Sequence, residues 1–429
     1  MANASANPSA ARGLRARLSG LTSRIPLLAW LLGALVAAGL EQWVGIDVAW
    51  GVGLPKIPVL FGLVTMLKSP VLIPGILAYV LSIYLIPLFL VARITAPLAN
   101  KVAAWLLEKP LVISLMVHLV IIFGIMHIWS DISDYRNLTV RLTLIAVMMT
   151  LSLNVINGYM GEFSCSHPGF MALGAYVTSI FTVGLFVTDK LFGQAILPAW
   201  LGPWLFPVAL ICGGFAAAIG ALAIAIPSFR TRGDYLAIIS LAFMFIVKSV
   251  IENSEFVGGP RGLSSQPDYA DLTTVFVVAA ICLWMINNFV TSILGKATNA
   301  VRDDETAAEA MTVNTRRTKM VAFMFAAFWA GVAGGLFAHV LRYVNPGTFG
   351  LQKLAEVLAM VYFGGLNSVY GSIVGAVGIS LLGEALRPLE ILKWIIIPLL
   401  LILVMIYRPT GLVAFKEFDM RRILRPKQD

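Results

Sequence analysis

The sequence has little charge. Lys, Arg, Asp and Glu make up only 12% of its residues, whereas hydrophobic residues make up 59%. Soluble domains average about 25% charged residues. No polar stretch is long enough to form a soluble domain of its own, so the composition predicts one polytopic membrane domain.

Cysteine and histidine are also scarce. The three cysteines, Cys165, Cys212 and Cys282, form no CxxC pair, so neither a disulfide framework nor a zinc site is supported. His118 and His127 do not share a helical face closely, and we assign no metal site. With four histidines in the whole chain, no Ser-His-Asp or Cys-His arrangement can be defended, and no catalytic residue is predicted.

A nucleotide-binding loop is missing as well. The stretch GLVTMLKS, residues 62–69, lacks the glycine that precedes lysine in a Walker A motif. We therefore expect no directly bound cofactor and no ATP hydrolysis by this chain. The net charge of +9 suggests an excess of cytoplasmic Lys and Arg, in contact with anionic membrane lipid, and no nucleic acid partner.

Long apolar runs dominate the chain. They are continuous for 16 to 23 residues, which indicates helices, because barrel strands alternate apolar and polar residues. The fold class is therefore all-α, a polytopic helical membrane protein with about 10 to 12 transmembrane helices. Twelve runs are centred near Leu35, Val80, Ile121, Val147, Ser179, Gly214, Phe243, Ala279, Ala330, Met360, Ala376 and Leu400. The weaker piece 57–67 is too short to span.

The distribution of basic residues predicts the orientation. If every run crosses and the N-terminus is inside, the inside segments carry 20 of the 31 Lys and Arg residues. The positive-inside rule then places both termini and residues 296–319 in the cytoplasm. An apolar run follows the basic residues 1–24, so a cleaved signal peptide is an alternative to an uncleaved first helix.

Two apolar segments are interrupted by glycine and proline. They are GYMGEFSCSHPGFMALGAY, residues 158–176, and YFGGLNSVYGSIVGAVG, residues 362–378. Paired interrupted segments in two halves of a transporter mark a transport site, although so short a match can arise by chance. The predicted pathway residues are Asn154, Tyr159, Glu162, Ser164, His167, Gly169, Gly174, Gly364 and Gly365. Glu162 could instead lie at headgroup level, and His167 could be a hydrogen-bonded core residue.

Residues 296–319, KATNAVRDDETAAEAMTVNTRRTK, form the most charged loop between two apolar runs. On composition alone this segment is more typical of an ordinary solvated loop. It can also form a short amphipathic helix over residues 299–311, capped by Thr298 or Asn299. Val301, Ala308 and Met311 would then share one face.

Four motifs, in order, resemble the permease subunits of branched-chain (hydrophobic) amino acid ABC importers. The family has an Ala-Ile-Arg-Asp-Asp/Glu-Glu-x-Ala-Ala run in a cytoplasmic loop, and this chain has AVRDDETAA at 300–308. Residues 158–176, RTRGDYLAII at 230–239 and GGPRGL at 258–263 resemble three further family segments. The chain looks like the longer of the two permease types.

The resemblance implies a coupling segment at 296–319 that contacts ATPase subunits. The implied contact residues are Arg302, Asp303, Asp304, Glu305, Ala308 and Met311. The chain departs from the family in two places. In the first, Ser166 replaces a glycine before His167, and Pro168 follows this histidine. In the second, Met311 replaces a leucine and Thr312 stands where the family usually has glycine. The first puts the substrate in doubt, and the second alters how the coupling helix ends.

The resemblance also implies the organisation of the chain. Residues 1–135 would be a basic N-terminus with an extension of about three spans. Residues 136–413 would be the core permease domain, and 414–429 a basic cytoplasmic tail.

The implied function is a subunit, without its own ATPase site, of an importer in the bacterial inner membrane. Its implied partners are a second permease subunit, two cytoplasmic ATPase subunits that use ATP, and a periplasmic solute-binding protein. Branched-chain or other hydrophobic amino acids are the implied substrates. Alternatives are an ABC permease for urea, short amides, small organic acids or sugars, or an ion-coupled secondary transporter. The last would require several charged residues in mid-span, and the chain has few, among them Glu356 and Glu384.

Overall fold

The computed structural model describes residues 25–189, 191–229, 235–415, 418, 419, 421 and 424–426. The basic residues 1–24 and most of the RTRGDY motif, at 230–234, lie outside these described residues. The chain divides into two compact units, one of Met1–Arg136 with Asp419–Asp429, and one of Asn137–Phe418. The predicted three-part division stays a prediction.

The first unit is helical in all of its regular structure that is described. Its helices are α1 (Leu27–Gly51), α2 (Leu63–Lys68), α3 (Ile73–Tyr79), α4 (Ile86–Glu108), α5 (Leu111–Asp131) and the start of α6 (Asp134–Asn154). Short 3₁₀ turns at Val59–Gly62 and Pro70–Leu72 and a π-helical stretch at Val80–Leu85 connect them. α1 packs against α4 and α5. Residues 57–67 form only turns and most of the six-residue α2, too short to span a bilayer.

A buried ion pair holds the first unit together. Both Arg136 guanidinium nitrogens Nη1 and Nη2 lie 2.9 Å from the Glu41 carboxylate oxygens, and both side chains are almost fully buried. The hydroxyls of Tyr79 and Tyr84 also donate to Glu41. The Arg136 guanidinium lies 4.7 Å from the centre of the Trp129 ring. A buried charge is costly without such partners, so within the first unit this network joins α1, α3, the π-helical stretch and the start of α6.

The described residues of the second unit form the rest of α6 and ten further helices. They are α7 (His167–Phe186), α8 (Gly202–Ser228), α9 (Tyr235–Glu252), α10 (Leu272–Thr291), α11 (Ile293–Asp303), α12 (Glu305–Ala310), α13 (Thr315–Leu341), α14 (Leu351–Gly364), α15 (Val369–Ala385) and α16 (Lys393–Tyr407). A π-helical stretch, Val155–Met160, follows α6, and 3₁₀ turns occur at Ala199–Leu201, Glu255–Val257, Gly259–Arg261, Pro346–Phe349 and Arg387–Leu392. Strands β1 (Leu263–Ser264) and β2 (Tyr343–Val344) pair antiparallel, Leu263 opposite Val344.

Helices α7, α8 and α13 form the centre of the second unit, and they cross where their side chains are smallest. A Cβ on Gly174 would overlap the main chain of Gly331, and a Cβ on Gly331 would lie 2.6 Å from the Ala217 Cβ and 2.8 Å from the Gly213 oxygen. Small residues let apolar helices approach closely where water does not drive association. The buried core of this unit surrounds the crossing.

Nine helical stretches among the described residues are long and apolar enough to cross a membrane. They correspond to the first nine predicted runs, from Leu35 to Ala330. The runs near Met360, Ala376 and Leu400 form the shorter helices α14, α15 and α16, of 14, 17 and 15 residues. The predicted all-α, polytopic membrane fold is confirmed.

Candidate coupling and transport site

The charged segment 296–319 forms parts of three helices instead of the predicted single helix over 299–311, so that prediction is wrong. α11 ends at Asp303 and α12 begins at Glu305. Between them Asp304 is extended, with φ −159° and ψ 109°, and its carboxylate accepts hydrogen bonds from Thr306 N at 2.9 Å and Ala307 N at 3.0 Å. A carboxylate that satisfies free N–H groups starts a new helix.

The predicted cap at Thr298 or Asn299 is also wrong. Ser292 caps α11 by accepting a hydrogen bond from Gly295 N at 3.3 Å. Thr298 lies inside α11, where its hydroxyl donates to the Leu294 carbonyl oxygen at 2.8 Å. Thr298 and Asn299 lie beyond the first four residues of this helix, so no free N–H group is left there for a cap to bind.

The break also separates the residues predicted to share one face. Val301 and Ala308 are buried, but Met311 is 77% exposed. Of the predicted contact residues, Asp303, Asp304, Glu305 and Met311 are exposed, whereas Arg302 and Ala308 face the protein. Four of the six predicted contact side chains are therefore exposed, and two lie against the protein.

The end of α12 explains the departure at Thr312. This residue has φ +68°, in the left-handed region that favours glycine. Val313 N donates to Ala308 O at 3.0 Å and Thr312 N to Glu309 O at 3.0 Å, which is the pattern of a helix closed by a left-handed residue. A glycine is suited to this position, and this chain has a β-branched residue there.

The first broken segment, Val155–Ser166, joins α6 to α7. It consists of the π-helical stretch and of residues 161–166, which are not helical. Side chains replace the missing helical bonds: Asn157 Oδ1 accepts from Ser164 N at 3.2 Å, and Ser240 Oγ accepts from Cys165 N at 2.8 Å. Interrupted backbone is tolerated at membrane depth where protein groups satisfy it in this way.

The second broken segment, Gly364–Ser368, joins α14 to α15, and Asn154 binds it. The Asn154 Nδ2 donates to the Ser368 carbonyl oxygen at 3.0 Å and to Ser372 Oγ at 2.7 Å, and lies 3.4 Å from Gly365 O. Its Oδ1 accepts from Asn367 N at 3.1 Å. One buried amide thus joins the two segments that glycine and proline interrupt.

The charged segment contacts the first broken segment through two basic side chains. Arg302 Nη1 donates to Gly158 O at 3.3 Å. Lys319, in the first turns of α13, lies 2.8 Å from Glu162 and 3.0 Å from Glu305. The Arg302 guanidinium also lies 5.7 Å from the Phe415 ring centre. A hydrogen bond to the main chain and an ion pair therefore link the exposed segment to the interrupted helix.

The predicted pathway residues fall into three groups. Asn154, Tyr159, Ser164 and His167 are buried around the broken segments. Glu162 instead joins the ion pairs with Lys319. Gly169, Gly174, Gly364 and Gly365 lie where backbones pack closely, against α9, α13, α15 and residues 413–414 respectively. His167 is fully buried, and its ring meets Phe170 edge to face at a centroid distance of 5.8 Å.

A cavity of about 200 Å³ lies between α6, α14, α15 and α16, and none of the predicted pathway residues lines it. Its lining combines apolar side chains with Lys353, Glu356, Glu384 and Lys393. Sequence reasoning missed this cavity. The signal was present in Glu356 and Glu384, which are rare acids within apolar runs.

A helical membrane bundle with two joined broken helices, a cavity on the same helices and an exposed charged segment has the architecture of a transport protein. The model of the family described as "Branched-chain amino acid transport system / permease component" matches residues 137–406. The chain belongs to this family, as the motifs predicted, and its likeness is to the longer permease type.

Individual relatives agree with the family. The chain is 31% identical to the high-affinity branched-chain amino acid transport system permease protein LivM of Escherichia coli strain K12, over 65% of this chain and 70% of LivM. The LivM of Salmonella typhimurium strain LT2 is 30% identical over the same shares. BraD of Pseudomonas aeruginosa, a permease protein of the same kind of system, is 27% identical over 34% of this chain and 48% of BraD. No solved structure matches this chain.

The apolar helices and the bacterial relatives together indicate a multi-pass protein of the bacterial inner membrane. The family consists of transport subunits, which work with partner subunits.

Proposed function

We propose that this chain is a membrane subunit of an ATP-binding cassette importer for branched-chain or other hydrophobic amino acids. Its partners are a second permease subunit, two cytoplasmic ATPase subunits, and a periplasmic binding protein that delivers the amino acid. ATP is used by the partner ATPases, and the chain binds no cofactor of its own. Both termini lie in the cytoplasm. Family membership, the names of the relatives and the lack of a Walker A motif support this assignment.

The observation that carries the proposal is the link between the charged segment and the broken helix. Asp303, Asp304, Glu305 and Met311 offer an exposed surface to an ATPase subunit. Behind that surface, Arg302 binds Gly158 and Lys319 binds Glu162. Movement of the partner is transferred by these contacts to the interrupted end of α6.

The movement then reaches the second broken segment through Asn154. This amide binds the turn between α14 and α15, so a shift of α6 also shifts those two helices. The amino acid passes beside these elements, and the small residues of the crossing helices allow their contacts to open and form again. Two alternative arrangements of one set of packed helices are sufficient for alternating access.

Reversal of the exposed charges tests the coupling role. Asp304→Lys with Glu305→Lys should abolish ATP-dependent leucine uptake by the reconstituted importer, while the chain still inserts and assembles. Asp47→Lys with Glu108→Lys controls for charge reversal alone, because it reverses two exposed carboxylates of the first unit. Asp304 in addition caps α12, and Glu305 pairs with Lys319. Normal uptake by the first double variant would overturn the coupling role.

A second variant tests the predicted pathway. His167→Ala should change the rate of uptake without preventing assembly, if the buried ring faces the passing amino acid. Unaltered uptake by the assembled variant would mean that His167 contributes only to the packing of the helices.

A further inference from the structure

The cavity in the second unit has a polar end and an apolar end. Lys353 lies in the first turn of α14 and Lys393 is the first residue of α16, whereas Glu384 lies in the last turn of α15. Three of the four charged side chains of the lining thus come from helix ends. Met149 and Met360 line the cavity farther along their helices. From Lys353 to Met360, α14 rises about 10 Å.

The charges at the polar end balance. Two are positive, on Lys353 and Lys393, and two are negative, on Glu356 and Glu384. Lys353 Nζ lies 2.9 Å from the Glu356 carboxylate and 5.4 Å from the ring centre of Phe337, which also lines the cavity. A site for an anion or a cation would carry an excess of one sign. A balanced pair instead complements a molecule that carries both charges.

The pair of Lys353 and Glu356 lies between the cavity and the protein surface. Both side chains also line a second, wider depression of about 490 Å³, next to Tyr343, Asn345 and Thr348. The ammonium group of Lys353 and the carboxylate of Glu356 can therefore be reached from the surface as well as from the cavity. Their side chains are 18% and 38% exposed, so they are not locked in a dry core.

The apolar end suits a branched aliphatic side chain. Its lining includes three methionines, Met149, Met171 and Met360, and methionine adapts its shape to irregular apolar groups. A volume of about 200 Å³ is below the 300–1,000 Å³ typical of drug-sized pockets and fits a molecule as small as an amino acid.

We propose that this cavity binds an aliphatic amino acid as its zwitterion. The Lys353 ammonium binds the carboxylate of the ligand, Glu356 binds its ammonium, and the aliphatic side chain lies among the methionines. The ligand enters by exchange of ionic partners, so no charge is left unpaired at any stage. This inference rests on the proposed function, because it names the place in the chain where the imported amino acid is held.

The position of the cavity connects it to the coupling route. Met149 precedes Asn154 by five residues on α6, and Met360 precedes Gly364 by four on α14. The Thr150 hydroxyl contacts Met360 Sδ at 3.4 Å between these helices. The helices that Asn154 joins are therefore the helices that shape the apolar end, so a shift at Asn154 changes the space for the ligand.

Thiol protection tests the proposal on the assembled importer. Ser380 lines the cavity. In the full complex with Ser380→Cys and Cys212→Ala, leucine should slow the reaction of the new thiol with a small maleimide, in a concentration-dependent way. Isocaproate, which lacks the ammonium, and isoamylamine, which lacks the carboxylate, should protect at least about tenfold more weakly. No protection by leucine up to its solubility limit, or equal protection by all three compounds, overturns the proposal.

Charge variants provide the second measurement. Lys353→Gln and Glu356→Gln should each weaken leucine protection by about tenfold. Lys248→Gln, in a comparable Lys–Glu pair on α9 away from the cavity, should leave protection unchanged. Unchanged protection in both cavity variants overturns the proposal. If the complex with Ser380→Cys and Cys212→Ala imports leucine but shows no protection, the cavity assignment falls alone. If the unsubstituted complex imports no leucine, the proposed function falls.

Discussion

The guanidinium of Arg302 donates a hydrogen bond to the main-chain oxygen of Gly158, 3.3 Å away. The aliphatic stem of this arginine packs on Gly161, where an added Cβ would lie 3.2 Å from the Arg302 Cβ. Gly161 has φ +74°, so only glycine suits both the backbone and the contact. The charged segment thus contacts the chain directly after α6, where the regular helical hydrogen bonds end.

Arg302→Ala should uncouple ATP hydrolysis from uptake. The variant loses the hydrogen bond to Gly158, the packing on Gly161 and the ion pair with Asp303, but it keeps the exposed acids themselves. We expect leucine uptake to fall by about 5- to 150-fold, the usual range of a coupling free energy, with ATPase activity retained. Uptake and ATP hydrolysis are measured on the same reconstituted preparation. Arg316→Ala removes an exposed arginine of the same segment and should behave as the wild type; an equal loss in both variants would contradict the specific role of Arg302.

Asn154→Ala should destabilise the second unit. It removes the acceptor of Asn367 N and one partner each of Ser368 O and Ser372 Oγ, which still bond to each other. The loss of a partner at a buried polar group costs about 1–3 kcal/mol where no other partner remains. The thermal denaturation temperature of the purified importer should therefore fall, together with uptake. Asn253→Ala is the control, because this exposed asparagine makes one local hydrogen bond, to Ser249 O. If both substitutions shift the temperature equally, Asn154 does not hold the two broken segments together.

Much of this arrangement could be predicted from the sequence. Runs of apolar residues predicted the helical membrane fold, because a bilayer requires continuous internal hydrogen bonding. Glycine and proline marked both broken segments, and the structure brings those segments together at Asn154. These predictions succeeded because they depend on local residue type and on segment length.

The remainder depends on contacts between distant residues. Residues 299–311 favour a helix throughout, and the break at Asp304 arises where its carboxylate binds two N–H groups while Arg302 and Lys319 hold the flanking helices. The cavity is lined from Thr139 to Ile397, so no local pattern describes it. The Glu41–Arg136 pair joins residues 95 positions apart. Spacing along the chain carries no information about such pairs.

Gly174→Ala tests whether this glycine serves packing or passage. Its new Cβ would overlap the main chain of Gly331, which cannot move without separating α7 from α13. Overpacking of this kind costs about 1–3 kcal/mol, so we expect a lower denaturation temperature and less assembled importer. Gly39→Ala is the matched control, since nothing lies within 4 Å of a Cβ there and alanine favours the helix by about 0.5–1 kcal/mol. Loss of uptake by Gly174→Ala at unchanged stability would instead favour a place in the pathway.

Thr312→Gly should stabilise the end of the charged segment. Thr312 has φ +68°, and a residue other than glycine in this region costs about 1–2 kcal/mol. Glycine relieves that strain, less the additional chain entropy that it carries in the unfolded state, so we expect a net gain of up to about 1 kcal/mol. The gain should appear as a higher denaturation temperature of the purified importer, with α12 still closed by the bond from Val313 N to Ala308 O. Thr306→Gly, at an exposed position inside α12, should have the opposite sign because glycine weakens a helix interior. A lower denaturation temperature for Thr312→Gly would mean that contacts of the threonine side chain outweigh the strain of its backbone.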